Sequence, residues 1–285
     1  MQVRELVPAL LDRIIDRALE EDLAGGDITT EACIDPLQKI AAHATARHAL
    51  VVSGGPVFRR VFERVDESLR VEFKVPDGVH AAARTVLWSV VGHARSILVA
   101  ERTALNLVQR MSGIATLTRK YVDELPSDSS TRITDTRKTT PGLRILERYA
   151  VRCGGGHNHR DQLGSSVLIK DNHIVACGSV HEAIRRARTY ASHTCTIECE
   201  VDRLDQLSEA IDAGADIVLL DNMNLETIRR AVVTAEGRVL LEASGGITLG
   251  RIRDLAEAGV DAISVGALTH SAPAVDIGLD FVPLG

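Results

Sequence analysis

Basic and acidic side chains stand at intervals through the second half of this chain, each at the end of a short apolar run. Thr136, Arg137 and Lys138 close RITDT, Lys170 closes SVLIK, Glu200 closes TIECE, and Asp221 closes IVLLD. Two later runs end instead in small residues: Ser244-Gly245-Gly246 after RVLLEA, and Val265-Gly266-Ala267 in AISVGA. Lysine and arginine bind carboxylates and phosphates through charge-assisted hydrogen bonds. Paired carboxylates hold Mg²⁺ when a substrate phosphate supplies further oxygens. Glycines let backbone N–H groups close on a phosphate. The order of types therefore suits a multiply anionic substrate that also carries phosphate. Glu200 and Asp221 are the expected Mg²⁺ ligands, against the alternative of simple salt bridging. Glu198 alternates with Glu200, faces the same way and is a further candidate for that cluster.

The segment CGGGHNHR, residues 153–160, belongs with this set. It lacks the G-x-x-x-x-G-K-[ST] pattern of a phosphate loop. It also lacks the dinucleotide fingerprint, because His159 stands where the third glycine would be. His157 and His159 could begin a zinc site, but the sequence places no third ligand beside them. The remaining reading is a tight loop that carries His159 and Arg160 to a small anion. Burying Arg137, Lys138, His159, Arg160 and Lys170 without partners would be very costly, so a substrate of opposite charge must complete the site.

Those groups need a scaffold that brings strand ends together. From Arg132 onward, strand-length apolar runs alternate with helical stretches, and AGADIVLLDN at 213–222 aligns without gaps to AGVDAISVGA at 258–267. Continuously apolar strands joined by helices imply a parallel sheet, and this many βα units favour an α/β barrel, whose catalytic groups sit at the strand C-termini. Helix starts are expected at Ser179 with Glu182 as a capping box, and at Asp202, Asn224 and Thr248. The first hundred residues differ. They hold short β-like runs at 40–53 and 70–92, then a long helical stretch from Ala94 to about Leu125, closed by Pro126-Ser127-Asp128-Ser129-Ser130.

Bulk properties exclude several classes. Of 285 residues, 45% are hydrophobic and 25% charged, an ordinary globular balance. A net charge of −6 with 3% aromatics argues against nucleic acid as a partner. Five cysteines without a C-x-x-C pair suit free thiols in a reducing compartment. The start, MQVRELVPALLDRIIDRALEED, reads as a charged amphipathic helix rather than a leader peptide. No run approaches the ~18 consecutive apolar residues of a membrane span. A cytoplasmic protein without membrane partner is expected.

The motifs AERTALNLVQRMSGIAT, DTRKTTPGLR, AVRCGGGHNHR, LIKDNHI, ECEVD, LLDN, EASGGI and SVGALTHS, in that order, closely resemble quinolinate phosphoribosyltransferases from about Glu20 to Leu279. The resemblance implies transfer of phosphoribosyl from phosphoribosyl pyrophosphate to quinolinate, with decarboxylation to nicotinate mononucleotide. It implies an incomplete α/β (TIM-like) barrel at 111–271. An N-terminal open-faced α/β sandwich would occupy 1–110, with the tail 272–285 returning to it. It implies a homodimer, able to assemble further, whose sites are shared so that Arg102 acts in the partner's site. Arg137, His159, Arg160 and Lys170 would hold the substrate carboxylates, with Lys138 contacting the donor as well. Glu200 and Asp221 would place Mg²⁺ and ribose hydroxyls, with Thr136 nearby. Ser244, Gly245, Gly246, Val265, Gly266 and Ala267 would take the 5-phosphate, and no organic cofactor is needed. Cys153 and Asp161-Gln162 depart from the family pattern and raise an altered pyridine carboxylate as an alternative. Further alternatives are a Schiff-base aldolase using Lys170, or a phosphate-ligand sensor without catalysis.

Overall fold

The computed structural model describes residues 6–282, which divide into two compact units. One comprises the chain through Arg119, Thr139–Gly155 and the segment from Leu268; the other comprises Lys120–Lys138 and Gly156–Ala267.

The first unit is built on a four-stranded antiparallel sheet in the order Ile277–Val282, Lys39–Ala46, Val86–His93, Arg70–Phe73. Its core is small in aromatic number: Phe58 lies 4.7 Å from Phe62, tilted against it, and stacks on Trp88 at 4.9 Å, centroid to centroid, with all three fully buried. The helix Ala94–Asp123 runs unbroken for 30 residues, so the expected boundary near residue 110 falls inside it. Thr139–Gly155, expected with the barrel, belongs to this unit. The helix Arg144–Cys153 is amphipathic and buries Leu146, Tyr149, Ala150 and Val151. Tyr149 donates its hydroxyl proton to Asp77 at 2.8 Å, while Arg110 reaches Glu147 at 2.6 Å and Thr140 at 2.9 Å.

The second unit carries six parallel strands in the order Arg132–Thr134, Ala262–Ser264, Leu240–Ser244, Ile217–Asp221, Ile197–Val201, Val167–Ile169. Among the described residues no ladder joins the first and last of these, so the barrel is incomplete. At the Arg132–Thr134 edge, His157 forms a parallel bridge to Thr134 instead. Helices Val180–Tyr190, Leu204–Asp212, Leu225–Ala235 and Ile252–Ala258 each bury an apolar stripe, led by Ile184, Leu207, Ile228 and Leu255. The caps agree in part with the sequence reading. Ser179 accepts the Glu182 N–H at 3.1 Å and Asn224 accepts that of Thr227 at 2.9 Å. Glu182, however, binds Arg185 and Arg186 rather than returning to the cap. Neither Asp202 nor Thr248 makes a side-chain cap: Arg203 precedes one helix, and a 3₁₀ turn, Leu249–Arg251, opens the other.

Strand alternation then decides what faces inward. Cys199, Val218, Leu220, Ala243 and Ile263 are fully buried, on the opposite parity from the chemistry-bearing residues. Glu200, Asp221 and Ser244 stand at the strand ends; two residues earlier, Glu198, Leu219 and Glu242 form a deeper tier.

Candidate active site

A cavity of about 530 Å³ opens in the second unit, lined from loops and strand ends. Thr136, Arg137, Lys138, His159, Arg160 and Lys170 supply its basic and hydrogen-bonding side. Glu200, Asp221, Ser244, Gly245 and Gly246 supply the other. The cavity thus brings together eleven of the fifteen residues singled out from the sequence. Val265 is buried and, like Gly266 and Ala267, does not line it. Arg102 is exposed on the helix Ala94–Asp123 of the first unit.

The loop 154–160 is stitched to the edge strand. His157 donates its N–H to Ile133 O at 2.8 Å, and Asp135 donates back to His157 O at 3.1 Å. Asp135 is fully buried, and its carboxylate accepts the His159 N–H at 2.8 Å and the Asn158 amide at 2.6 Å. That carboxylate fixes where His159 and Arg160 emerge. Arg160 donates to Ser166 O at 2.9 Å, and burial together with the neighbouring Arg137 charge holds its pKa below the usual value. Two guanidinium groups this close, one of them desolvated, make a strong anion site.

Below them His159 is engaged on both ring nitrogens. Nδ1 accepts the Arg160 N–H at 2.7 Å, and Nε2 lies 3.1 Å from Glu198 and 3.5 Å from Glu242. Burial pulls its pKa down, but the Glu198 hydrogen bond and the charges of Glu242 and Asp135 outweigh this and raise it. Glu198, placed from the sequence with the metal candidates, is almost fully buried here and sits beneath the site against His159. It shares the parity of Glu200 but lies one tier deeper.

At the strand ends Lys170 Nζ meets Glu200 Oε2 at 2.5 Å. An ammonium paired in this way, with its side chain 47% exposed, is the reverse of the desolvated neutral amine a Schiff-base aldolase requires. Asp221 accepts the Asn222 amide at 2.7 Å, and Asn222 sits in the left-handed region at φ 55° with its N–H on Ser244 O. Gly245 follows at φ 83°; a Cβ there would stand 2.3 Å from Asn222 Oδ1 and 2.8 Å from Asp221 Oδ1. The positive φ favours glycine here, and a side chain would push the Asn222 and Asp221 oxygens aside. The neighbouring Ser244 accepts a hydrogen bond from Ser264 at 2.9 Å.

Leu168, Leu219, Asn222, Glu242 and Ser264 also line the cavity and were not singled out from the sequence. Glu242 carried a usable signal, being an acid inside an apolar strand two residues before Ser244. The departures noted above fall outside the cavity. Cys153 is buried, with burial and Asp77 pushing its thiol up to about 12, and Asp161 is exposed.

The family model for the quinolinate phosphoribosyl transferase C-terminal domain matches residues 114–280, and that for the N-terminal domain matches 27–112. The nicotinate-nucleotide pyrophosphorylase (carboxylating) of Mycobacterium leprae is 44% identical over 272 residues, covering 93% of this chain and 95% of that protein. The probable nicotinate-nucleotide pyrophosphorylase (carboxylating) of Bacillus subtilis is 42% identical over 270 residues, covering 95% and 93%. Among solved structures, NadC from Streptococcus pyogenes matches with a TM-score of 0.95 at 40% identity, covering 99% of this chain and 100% of that one.

Proposed function

The chain belongs to the quinolinate phosphoribosyltransferase family, and from that premise we propose how its cavity carries out the family's reaction. The enzyme joins the phosphoribosyl group of phosphoribosyl pyrophosphate to quinolinate and decarboxylates the product to nicotinate mononucleotide. The observation that carries the assignment of the site is the gathering of Arg137, Lys138, His159, Arg160 and Lys170 around one cavity, opposite a loop in which Gly245 and Gly246 both hold positive φ.

Arg137 and Arg160 take the two pyridine carboxylates, and Lys170 joins them by exchanging its bond to Glu200 for one to substrate. Lys138 meets the pyrophosphate as its charge grows during departure from C1 of the ribose. The backbone of Ser244, Gly245 and Gly246 holds the 5-phosphate. Glu200 and Asp221 are hard oxygen donors on neighbouring strands, a set that fits Mg²⁺. Bound there, the ion would supply charge neutralisation to the leaving pyrophosphate. Asn222 holds the Asp221 carboxylate in place for that role. The active assembly is a homodimer in which the exposed Arg102 of one protomer completes the partner's site, and further association of dimers is compatible with it.

The test is direct. Purified protein is given phosphoribosyl pyrophosphate with quinolinate or nicotinate, with Mg²⁺ or with chelator, and nucleotide product and CO₂ are measured. Quinolinate with Mg²⁺ should turn over. Nicotinate should be rejected by ~10⁴-fold, because its missing carboxylate leaves a cation of the site without its partner. Comparable use of nicotinate, or full activity in chelator, would overturn the corresponding assignment.

A further inference from the structure

Glu242 forms part of the cavity floor, one tier beneath Ser244 on the strand Leu240–Ser244, and is only 5% exposed. Its Oε1 has no hydrogen-bond partner. Ser264 of the strand Ala262–Ser264 hydrogen-bonds its carboxyl, and the charged groups around it are His159 of the loop, with Nε2 at 3.5 Å, Glu198 of the strand Ile197–Val201, and Asp135 beyond Arg132–Thr134. Two of these are buried acids. The nearby imidazole is committed elsewhere, since His159 Nε2 lies nearer to Glu198, at 3.1 Å, than to Glu242, and Nδ1 accepts from Arg160 N–H. No lysine or arginine among the described residues forms an ion pair with Glu242. A buried carboxyl among acids, without a lysine or arginine partner, holds its proton to higher pH than an exposed one. Burial first, and the Glu198 charge second, lift it to about 7. A neutral acid also explains how a floor containing Glu242 can accept a substrate with two negative carboxylates.

The decarboxylating half of the reaction needs such a group. Once the ring nitrogen has bonded to the ribose and pyrophosphate has left, the bond from C2 to its carboxylate breaks. CO₂ departs, the electron pair stays on C2 beside the cationic nitrogen, and that pair must take up a proton. The guanidinium groups of Arg137 and Arg160 do not give protons up. Lys170 is committed to Glu200 or to substrate. We propose that Glu242 is the acid that supplies this proton: its O–H bond breaks as the C2–H bond forms, leaving a carboxylate beside His159 that regains a proton from solvent after products leave. The inference rests on the placement of quinolinate in this cavity argued above.

Glu242→Gln tests it, because the amide copies the shape and neutrality of the protonated acid but does not deliver a proton. In single turnovers with carboxyl-labelled quinolinate, pyrophosphate and CO₂ are followed separately, and quinolinate affinity is measured by calorimetry. Affinity and pyrophosphate release should stay within about 3-fold of wild type. CO₂ release should fall by ~10²-fold or more, with quinolinate mononucleotide accumulating. CO₂ keeping pace with pyrophosphate would overturn the proposal, as would collapse of quinolinate affinity, which would mean that Glu242 acts as an ionised anchor for His159. Glu242→Asp, which keeps an acid on a shorter arm, should recover part of the CO₂ release; an aspartate variant no better than glutamine also counts against it. Arg137→Ala separates the two levels. If it binds quinolinate normally, the placement of substrate is wrong, whatever Glu242 does.

Discussion

A carboxyl lifted from its usual 4.5 to about 7 by folding must make stability depend on pH, and the direction can be worked out. Below pH 4.5 the folded and unfolded chains both hold the proton, so Glu242 costs nothing by ionising. Between 4.5 and 7 the unfolded chain releases it while the folded chain keeps it, and stability falls as pH rises. Above 7 the penalty is complete. At 1.36 kcal/mol per pH unit, the interval of roughly 2.5 units corresponds to about 3 kcal/mol. Glu242→Gln removes the ionisation without altering the volume of a residue that is 5% exposed. The variant should therefore match wild type near pH 4.5 and exceed it by up to about 3 kcal/mol at pH 8. That gain corresponds to roughly 6–12 °C in melting midpoint for a unit of this size. Thermal melts of both proteins at pH 5, 6, 7 and 8 in one low-salt buffer series provide the assay. A gain that is the same at every pH would show that the effect is packing and not ionisation. A variant less stable than wild type at pH 8 would show that the carboxylate is a net stabilising partner of His159, and the reasoning would fail. A substitution that stabilises the fold while removing decarboxylation is what a destabilised functional acid should give.

Gly245→Ala should raise the KM for phosphoribosyl pyrophosphate by ~10-fold or more while leaving quinolinate affinity near wild type, because at φ 83° a Cβ is strained and would displace the Asn222 and Asp221 side-chain oxygens. Steady-state kinetics in both substrates decide it; an unchanged donor KM would remove the loop from the phosphate site. Arg102→Ala and Lys170→Ala homodimers should each be nearly inactive, whereas mixing them through unfolding and refolding should restore about a quarter of wild-type activity, one intact site in half of the dimers. No recovery, when wild-type chains refold normally, would place Arg102 in its own chain's chemistry or in none.

Much of the barrel was legible because its strands are apolar on both faces and its helices are amphipathic, two periods that a sequence displays openly. The runs at RITDT, SVLIK, TIECE, IVLLD, RVLLEAS and AISVGA all became strands of the six-stranded sheet. What the pattern could not show was which element covers which. The helix Arg144–Cys153 reads as something that buries one face, but its partners Asp77 and Arg110 lie 72 and 37 residues away. Its membership of the first unit depends on those distant contacts. The two caps that did not form, at Asp202 and Thr248, failed for a similar reason. Asp202 is a good cap by type, yet the chain turns one residue later, at Arg203.

The site divides along the same line. Lys170, Glu200 and Asp221 were legible because a charged residue ending an apolar strand has one natural place to be, the mouth of the barrel. Asp135 was not, and Glu242 showed only as an acid inside an apolar strand, because an acid inside such a run has no partner that local sequence can name. Parity supplies the missing step. Glu198 and Glu242 lie two residues before Glu200 and Ser244, so they face the barrel interior one tier down. Two glutamates entering one interior tier must be neutralised by a metal, a cation or a proton. The loop delivers a single imidazole to both, at 3.1 and 3.5 Å. One ring proton satisfies one carboxylate, and the second, Glu242, is left to hold a proton of its own.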